Sequence, residues 1–423
     1  MQTALKYGND EILLNIPEKN VLGVLEPTGL EPLVNLKKEV MDLLDSPTNG
    51  PGIAEIVHDN RIEKVAVIVN DLTRSTPTSR LLPPVLDKLL NLGIERNNID
   101  IVIATGTHRP MTEEEIKTIT GEDIYNNYRI TNHDCEAKDL VKMGTLKGGN
   151  DLWINPIVAA ADLRIGIGEI LLHYYAGFAG GRKSIFPGVA GKKTIMDNHR
   201  MMTYPGVGIG ITEGNPVSEQ MVEAIERLCP LHFIINCICD SHKNVVSIVS
   251  GHAVRAWQKG IEIFRKMNFA EIGKKADVLF VSAGGFPKDI NMYQAHKALE
   301  MCSRAVKEGG SIVFFAELSE GHGHPVFEEW ARKGMSPEEA IREFERNFRF
   351  GAHKLYYLAR VARKCEIYLY SDMNAEESEE MYCKKINSVD EIIPGLREKY
   401  GEDFTAWIIP QGGIVLPVVE AKG

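Results

Sequence analysis

The chain changes rhythm several times along its length. Over about residues 3–26, polar and apolar positions alternate through ILLNIP and VLGVLEP, which predicts a short antiparallel pair. From residue 63 the pattern becomes strand, loop, helix, strand: EKVAVIVN, then NDLTRST, then PPVLDKLLNLG closed by Gly93, then IDIVIATG. Thr112 and Glu115 stand at capping-box spacing, so a helix opens within MTEEEIKTIT. ADLRIGIGEI follows as a strand, HFIINCICD and VVSIVSG as a hairpin, and HAVRAWQKGIEIFRKM as the helix leaving it. A second alternating stretch begins near residue 276 with ADVLFVSAGG, a helix from Ile290 to Lys307, and GGSIVFFAEL. Ala295, Ala298, Leu299, Cys302 and Val306 recur at helical spacing and supply that helix with its buried stripe. Two helical stretches, CEIYLYS, another helix and TAWIIPQGGIVLPVV complete the pattern.

Strands alternating with helices imply sheets that are largely parallel. The expected fold class is α/β: two α/β domains with parallel or mixed sheets and a ligand cleft between them. Residues 1–270 are expected to form the N-terminal domain, completed by about 410–423, and residues 271–409 the C-terminal one. A length of 423 residues agrees, since it exceeds one ordinary core.

Composition narrows the function more than the fold. With 44% hydrophobic and 25% charged residues the chain is ordinarily globular, not disordered or fibrous. Lys plus Arg number 48 against 58 Asp plus Glu, a net charge of -10 that argues against a broad nucleic-acid footprint while leaving room for a small positive pocket. No run approaches the ~20 apolar residues of a membrane span. MQTALKYGNDE lacks the basic region and apolar core of an export signal, so a cytoplasmic location with no membrane partner is expected. Seven scattered cysteines read as reduced thiols, with Cys237 and Cys239 on one strand face for packing. C-x-x-C, H-E-x-x-H and EF-hand patterns are all missing, so a metal would need ligands from something besides the chain.

In open parallel sheets ligands bind beyond the carboxyl ends of the strands. Asp71 and Arg74 follow EKVAVIVN, His108 follows IDIVIATG, His173 follows DLRIGIGEI, and Tyr293, Gln294 and Lys297 follow DVLFVS. Each alone has an ordinary explanation: a turn cap for His108, a loop hydrogen bond for His173, a surface ion pair for Asp71 and Arg74, a solvated helix face for Gln294 and Lys297. Their convergence on strand ends is the signal. HYYAGFAGGRKSIFPG, residues 173–188, resembles a phosphate loop, but the P-loop pattern needs glycine where Arg182 stands. Lys183 among glycines points instead to a ligand approaching backbone closely. His199 in MDNHRMMT suits a helix C-terminus. His322 and His324 in GHGHP read as a glycine-rich turn, and Tyr356 and Tyr357 as residues bounding a pocket. A nicotinamide dehydrogenase would carry G-x-G-x-x-G after its first parallel strand, where NDLTRSTP stands.

DLTRSTP, TGTHRPMT, HYYAGFAGGRKSIFPG, DNHR and YQAHK, in this order, make the chain resemble the nickel-dependent lactate racemase family. The resemblance implies an isomerase that interconverts D- and L-2-hydroxy acids by proton-coupled hydride transfer. Its cofactor is a nickel pincer nucleotide, pyridinium-3,5-bisthiocarboxylic acid mononucleotide, made by separate biosynthetic enzymes and covalently attached, here through Lys183 in the N-terminal domain. By the same resemblance His199 is the protein's nickel ligand, and His108 and His173 are the acid/base pair. Arg74, Gln294 and Lys297 bind substrate, with Asp71 and Tyr293 near the cofactor. The third substituent on C2 is left open: lactate, or a larger 2-hydroxy acid such as malate, an aromatic hydroxy acid or a sugar acid. A non-catalytic cofactor carrier is the alternative of another class, and it would need neither both histidines nor Arg74.

Overall fold

Val65 to Val69 are all but inaccessible to solvent, as a parallel strand covered on both faces requires. In the computed structural model, which describes residues 1–419, this strand, Val65–Asn70, lies inside a six-stranded sheet. Ile99–Ala104 runs parallel to it on one side and Leu163–Glu169 on the other. Arg129–Asn132 extends the first side; Phe233–Cys239 and its antiparallel partner Val245–Gly251 extend the second. The chain thus moves outward from Val65–Asn70 in one direction and then returns to its other flank. The crevice between Val65–Asn70 and Leu163–Glu169 is the point where strand order reverses, the usual place for a ligand in such a sheet. One sheet face packs Val67, Ile101 and Ile165 against Leu82, Val85 and Leu89 of the helix Thr78–Asn91. These elements belong to a compact unit spanning Gly29–Lys266.

Met1–Thr28 and the chain from Met267 onward form a second unit. Its main sheet has six strands in the order Cys383–Ile386, Glu366–Tyr370, Val306–Phe315, Ala276–Ser282, Ala406–Ile409, Val21–Val24, every neighbouring pair parallel. Met292–Cys302 is the helix that follows Ala276–Ser282. The α/β class is therefore as expected, with one parallel and one mixed sheet.

Three local expectations are corrected. The antiparallel pair near the start is Gln2–Tyr7 with Asp10–Asn15, not ILLNIP with VLGVLEP. Val21–Val24 instead joins the second unit's sheet beside Ala406–Ile409. Residues 1–28 and 410–419 consequently fall outside the first unit. Leu5, Leu14 and Ile16 of the hairpin share a core with Val278, Phe280 and Phe315, and Leu416–Val419 pairs with Phe269–Ile272. The helix expected from Ile290 to Lys307 ends at Cys302 and passes through one 3-10 turn, after which Val306 opens the next strand. Val306 is buried by sheet pairing with Ala276, so its apolar character belongs to a different element from the one its spacing suggested. The capping box is present: Thr112 accepts from Glu115 N–H at 3.3 Å, and the Glu115 carboxylate accepts from Thr112 N–H at 2.9 Å.

Candidate active site

Asp71 stands one residue past the Val65–Asn70 strand, and both of its carboxylate oxygens are engaged. Oδ1 accepts from the Thr73 hydroxyl at 2.6 Å, and Oδ2 lies 2.6 Å from His108 Nδ1. Burial would raise this carboxyl; the hydrogen bonds from His108 and Thr73 and the charges of His108 and Arg74 outweigh it and hold it below its ordinary value. An ionised Asp71 takes the Nδ1 proton of His108 in a hydrogen bond and leaves Nε2 with a free lone pair, the tautomer a general base requires. The ring is 43% exposed, so that nitrogen is reachable. Asp71 and Arg74 are joined by a backbone turn, Arg74 N–H meeting the Asp71 carbonyl at 3.2 Å. Asp71, Thr73 and His108 line a cavity of about 140 Å³ together with Arg109, Met111 and Glu115.

The glycine loop is bound to the sheet rather than draped over it. Gly181 donates its N–H to Asn236 Oδ1 at 2.6 Å, from the middle of the Phe233–Cys239 strand. Gly181 has φ of +53° and sits on Trp257; a Cβ there would come within 2.7 Å of the indole. On the neighbouring strand a Cβ at Gly166 would meet Ser184 Oγ at 2.8 Å, so GIGEI reads as clearance for this loop. Arg182, fully buried, donates to the Ala176 carbonyl at 2.7 Å and to Ser218 Oγ at 2.9 Å, with its guanidinium 3.8 Å from the Trp257 ring centre. It pins the loop from beneath, and burial brings it down to about 9.

Tyr175 gathers three of the expected residues. Its hydroxyl lies 2.7 Å from His199 Nε2, its ring meets His173 edge-on at 4.4 Å, and Lys183 Nζ stands 6.0 Å from the ring centre. Burial, then the charges of Arg74 and Arg182, push the Lys183 amine well below its usual range. Burial also lowers His173 strongly, with Lys183 and Arg74 adding to it, and brings His199 down to about 3, with Lys183 the second cause. The Ala176 N–H reaches His173 Nδ1 at 3.2 Å, which assigns the proton of the neutral ring to Nε2. Among the described residues no group of three or more His, Cys, Asp or Glu is placed to hold a metal.

Tyr293, Gln294 and Lys297 stand in the second unit, on the first turns of Met292–Cys302, whose N-cap Asn291 accepts from Gln294 N–H at 3.1 Å. Lys297 donates to Gln294 Oε1 at 2.7 Å. Tyr293 stacks on His324 at 4.8 Å and 12°, and Lys354 Nζ lies 4.4 Å from its ring centre. Lys354 is buried, and burial followed by the charge of Lys297 lowers it well below its ordinary value. Tyr356 and Tyr357 are buried in the helix His353–Ala362, Tyr356 against Phe344 at 4.9 Å.

Structure therefore adds four residues to the expected set: Tyr175, Asn236, His324 and Lys354. Asn236 had a signal, a lone amide inside the otherwise apolar run FIINCI. Tyr175 lies within the glycine motif itself. His324 was read as part of a loose turn, yet it caps the helix Pro325–Ala331 through Nδ1, which accepts from Val326 N–H at 3.1 Å. Lys354 gave no pattern that marks it.

A buried lysine whose amine is pushed well below its usual range, on a loop fastened to the sheet and in the same unit as a carboxylate-oriented histidine, is the kind of site an enzyme on an α/β frame presents. The chain belongs to the lactate racemase family and is an isomerase: residues 7–210 match the Lactate racemase N-terminal domain and residues 272–417 the Lactate racemase C-terminal domain. It is 34% identical over 328 residues to the lactate racemase of Lactiplantibacillus plantarum, covering 76% of each chain. Against the lactate racemase of Thermoanaerobacterium thermosaccharolyticum it is 29% identical over 422 residues, 97% of this chain and 98% of that one. The apoprotein structure from T. thermosaccharolyticum superposes with a TM-score of 0.91 at 28% identity, over the full length of both. A Thermotoga maritima structure, at 19% identity and TM-score 0.64 over 92% of this chain and 99% of that one, shares the fold.

Proposed function

We propose that this isomerase racemises lactate or a close 2-hydroxy acid with a nickel pincer nucleotide attached to Lys183. The observation that carries the reading is the common environment of Lys183 and His199 around Tyr175. A buried amine pushed well below its usual range is better suited as a nucleophile for a covalent tether. One buried neutral imidazole, His199, suits a metal whose remaining donors arrive with the nucleotide. The residues present fit the group. When bound, it supplies a hydride acceptor, chemistry no side chain offers.

His108 takes the hydroxyl proton of one enantiomer at Nε2, while Asp71 stabilises the imidazolium that forms. His173 serves the opposite hand: as it rests, its Nε2–H hydrogen-bonds the oxygen on C2, and to take that enantiomer's hydroxyl proton at Nε2 it changes to the Nδ1–H tautomer, giving up the contact with Ala176 N–H. Passage through a neutral 2-keto acid avoids a carbanion beside a carboxylate. Arg74 binds that carboxylate through its planar fork, and Lys297, held by Gln294, adds a second positive charge from the C-terminal unit. Separate enzymes make the nucleotide, so the chain alone is inactive. Produced with those enzymes, it carries nickel and a nucleotide-sized adduct on Lys183, read by intact mass, metal analysis and peptide mapping. Lys183→Ala carries neither. Loaded protein that exchanges hydrogen at C2 of no 2-hydroxy acid in a panel of lactate, malate, aromatic and sugar acids would defeat the racemase assignment.

A further inference from the structure

Glu169 ends the strand Leu163–Glu169 at the same sheet edge, and the proposed chemistry has not used it. It is 3% exposed, and its Oε2 has no hydrogen-bond partner. Leaving a polar atom so placed is costly, and such an atom calls for an explanation. Register supplies the surroundings. Cys237 stands beside Glu169 on one flank, and on the other Val69 pairs with Ile167, which brings position 71 level with 169. The chain turns between Asp71 and Arg74, where Arg74 N–H meets the Asp71 carbonyl, and the Arg74 charge acts on the Glu169 carboxyl. Glu169 and Arg74 therefore flank the crevice where strand order reverses. Asp71 is already committed through both oxygens to Thr73 and His108. Glu169 is the carboxyl at this edge with an oxygen to spare.

We infer that Glu169 is a positioning residue for Arg74, drawing the guanidinium toward itself when ionised and leaving it to an anionic substrate when protonated. This rests on Arg74 binding the substrate carboxylate, as proposed above. Burial raises the Glu169 carboxyl to about 7, against the opposing pull of the Cys239 thiol, Arg74 and Lys243. The groups facing it are thus Arg74 from the loop after Val65–Asn70, Cys237 and Cys239 from the adjacent strand, and Lys243 from the hairpin turn. The Cys237 thiol is pushed further up by its contact with Cys239, 4.0 Å away, and by burial. Titration near neutrality therefore changes the charge of Glu169, and Arg74 is the cation at hand to feel it.

Two measurements test this on the full chain. In protein labelled with carboxyl-13C glutamate, the signal removed by Glu169→Gln is expected to titrate near neutrality, and Arg74→Gln is expected to move its midpoint upward, since a neighbouring cation has been lost. In the cofactor-loaded enzyme, KM for lactate is expected to rise severalfold from below to above neutrality in the parent and to stay level in Glu169→Gln. A midpoint that Arg74→Gln leaves in place would overturn the inference, as would an unchanged KM profile in Glu169→Gln. The carboxyl titration needs no cofactor, so a failed Lys183 tether and a failed Glu169–Arg74 coupling give different results. Should Glu169→Gln not fold, Glu169→Asp identifies the signal and the Arg74→Gln shift still decides.

Discussion

At the scale of single residues, the most explicit device is the contact between Asp71 and His108. Its carboxylate selects the imidazole tautomer, so Asp71→Asn should preserve the shape while favouring the wrong one. Expected is a loss of roughly 100-fold to 10,000-fold in kcat, with little change in KM. Initial rates from each pure enantiomer check this, and the direction that uses His108 as base should suffer more. Glu169 makes a separate prediction about stability. Its carboxyl is raised in the folded state from 4.5 to about 7. The folded protein therefore binds the proton more tightly, and the associated stabilisation is complete below the unfolded value and lost as pH rises through the folded one. The difference amounts to about 3 kcal/mol at most. Thermal melts should show Glu169→Gln gaining on the parent as pH climbs from about 4.5 to about 7, with the gap level above that and closed toward acid. The candidate residues Asp71, Arg74, His108 and His173 are picked out by their identity at strand ends. Burial cannot be read that way, and burial is what pushes the Lys183 amine well below its usual range and the Glu169 carboxyl up to about 7.

Among elements, the glycine loop depends on the strand beneath it. Asn236→Ala removes the acceptor for Gly181 N–H and leaves a buried donor unmet, a cost of roughly 1–3 kcal/mol. Hydrogen exchange should quicken at Gly181 and along 177–188, and less Lys183 adduct should form because the nucleophile is held less firmly. Strands and helices were legible wherever periodicity was long: VAVIVN, the capped helix after Thr112 and the hairpin after residue 233 all stand as read. Pattern failed at partners. Alternation in VLGV correctly marks a strand but carries no information on which edge it joins, and it joins Ala406–Ile409 almost four hundred residues away in sequence. The helix Thr78–Asn91 begins a turn before the expected PPVLDKL, carrying Pro83 and Pro84 inside it. Both prolines lie past the first turn, so each leaves out one i→i−4 bond, to the carbonyls of Ser79 and Arg80.

For the molecule as a whole, the unit Gly29–Lys266 interrupts the other one, whose two parts meet through Thr28 N–H and the Met267 carbonyl at 2.6 Å. A polypeptide of residues 29–266 should therefore fold cooperatively by itself, since its sheet, its helices and the glycine loop lie within those limits. A single sharp thermal transition and protected amides at Val65–Asn70 and Leu163–Glu169 are the expected signs; a broad, unprotected chain would show that the division is only geometric. This interruption also imposes a timetable on synthesis. A ribosome adding roughly 5–20 residues per second needs about 12–50 s to deliver the intervening stretch. Val21–Val24 waits as an unpaired strand through that interval and beyond it, until Ala406–Ile409 is made. Until then the Val21–Val24 edge is open to pairing with another chain, which makes the nascent protein a substrate for chaperones by general expectation.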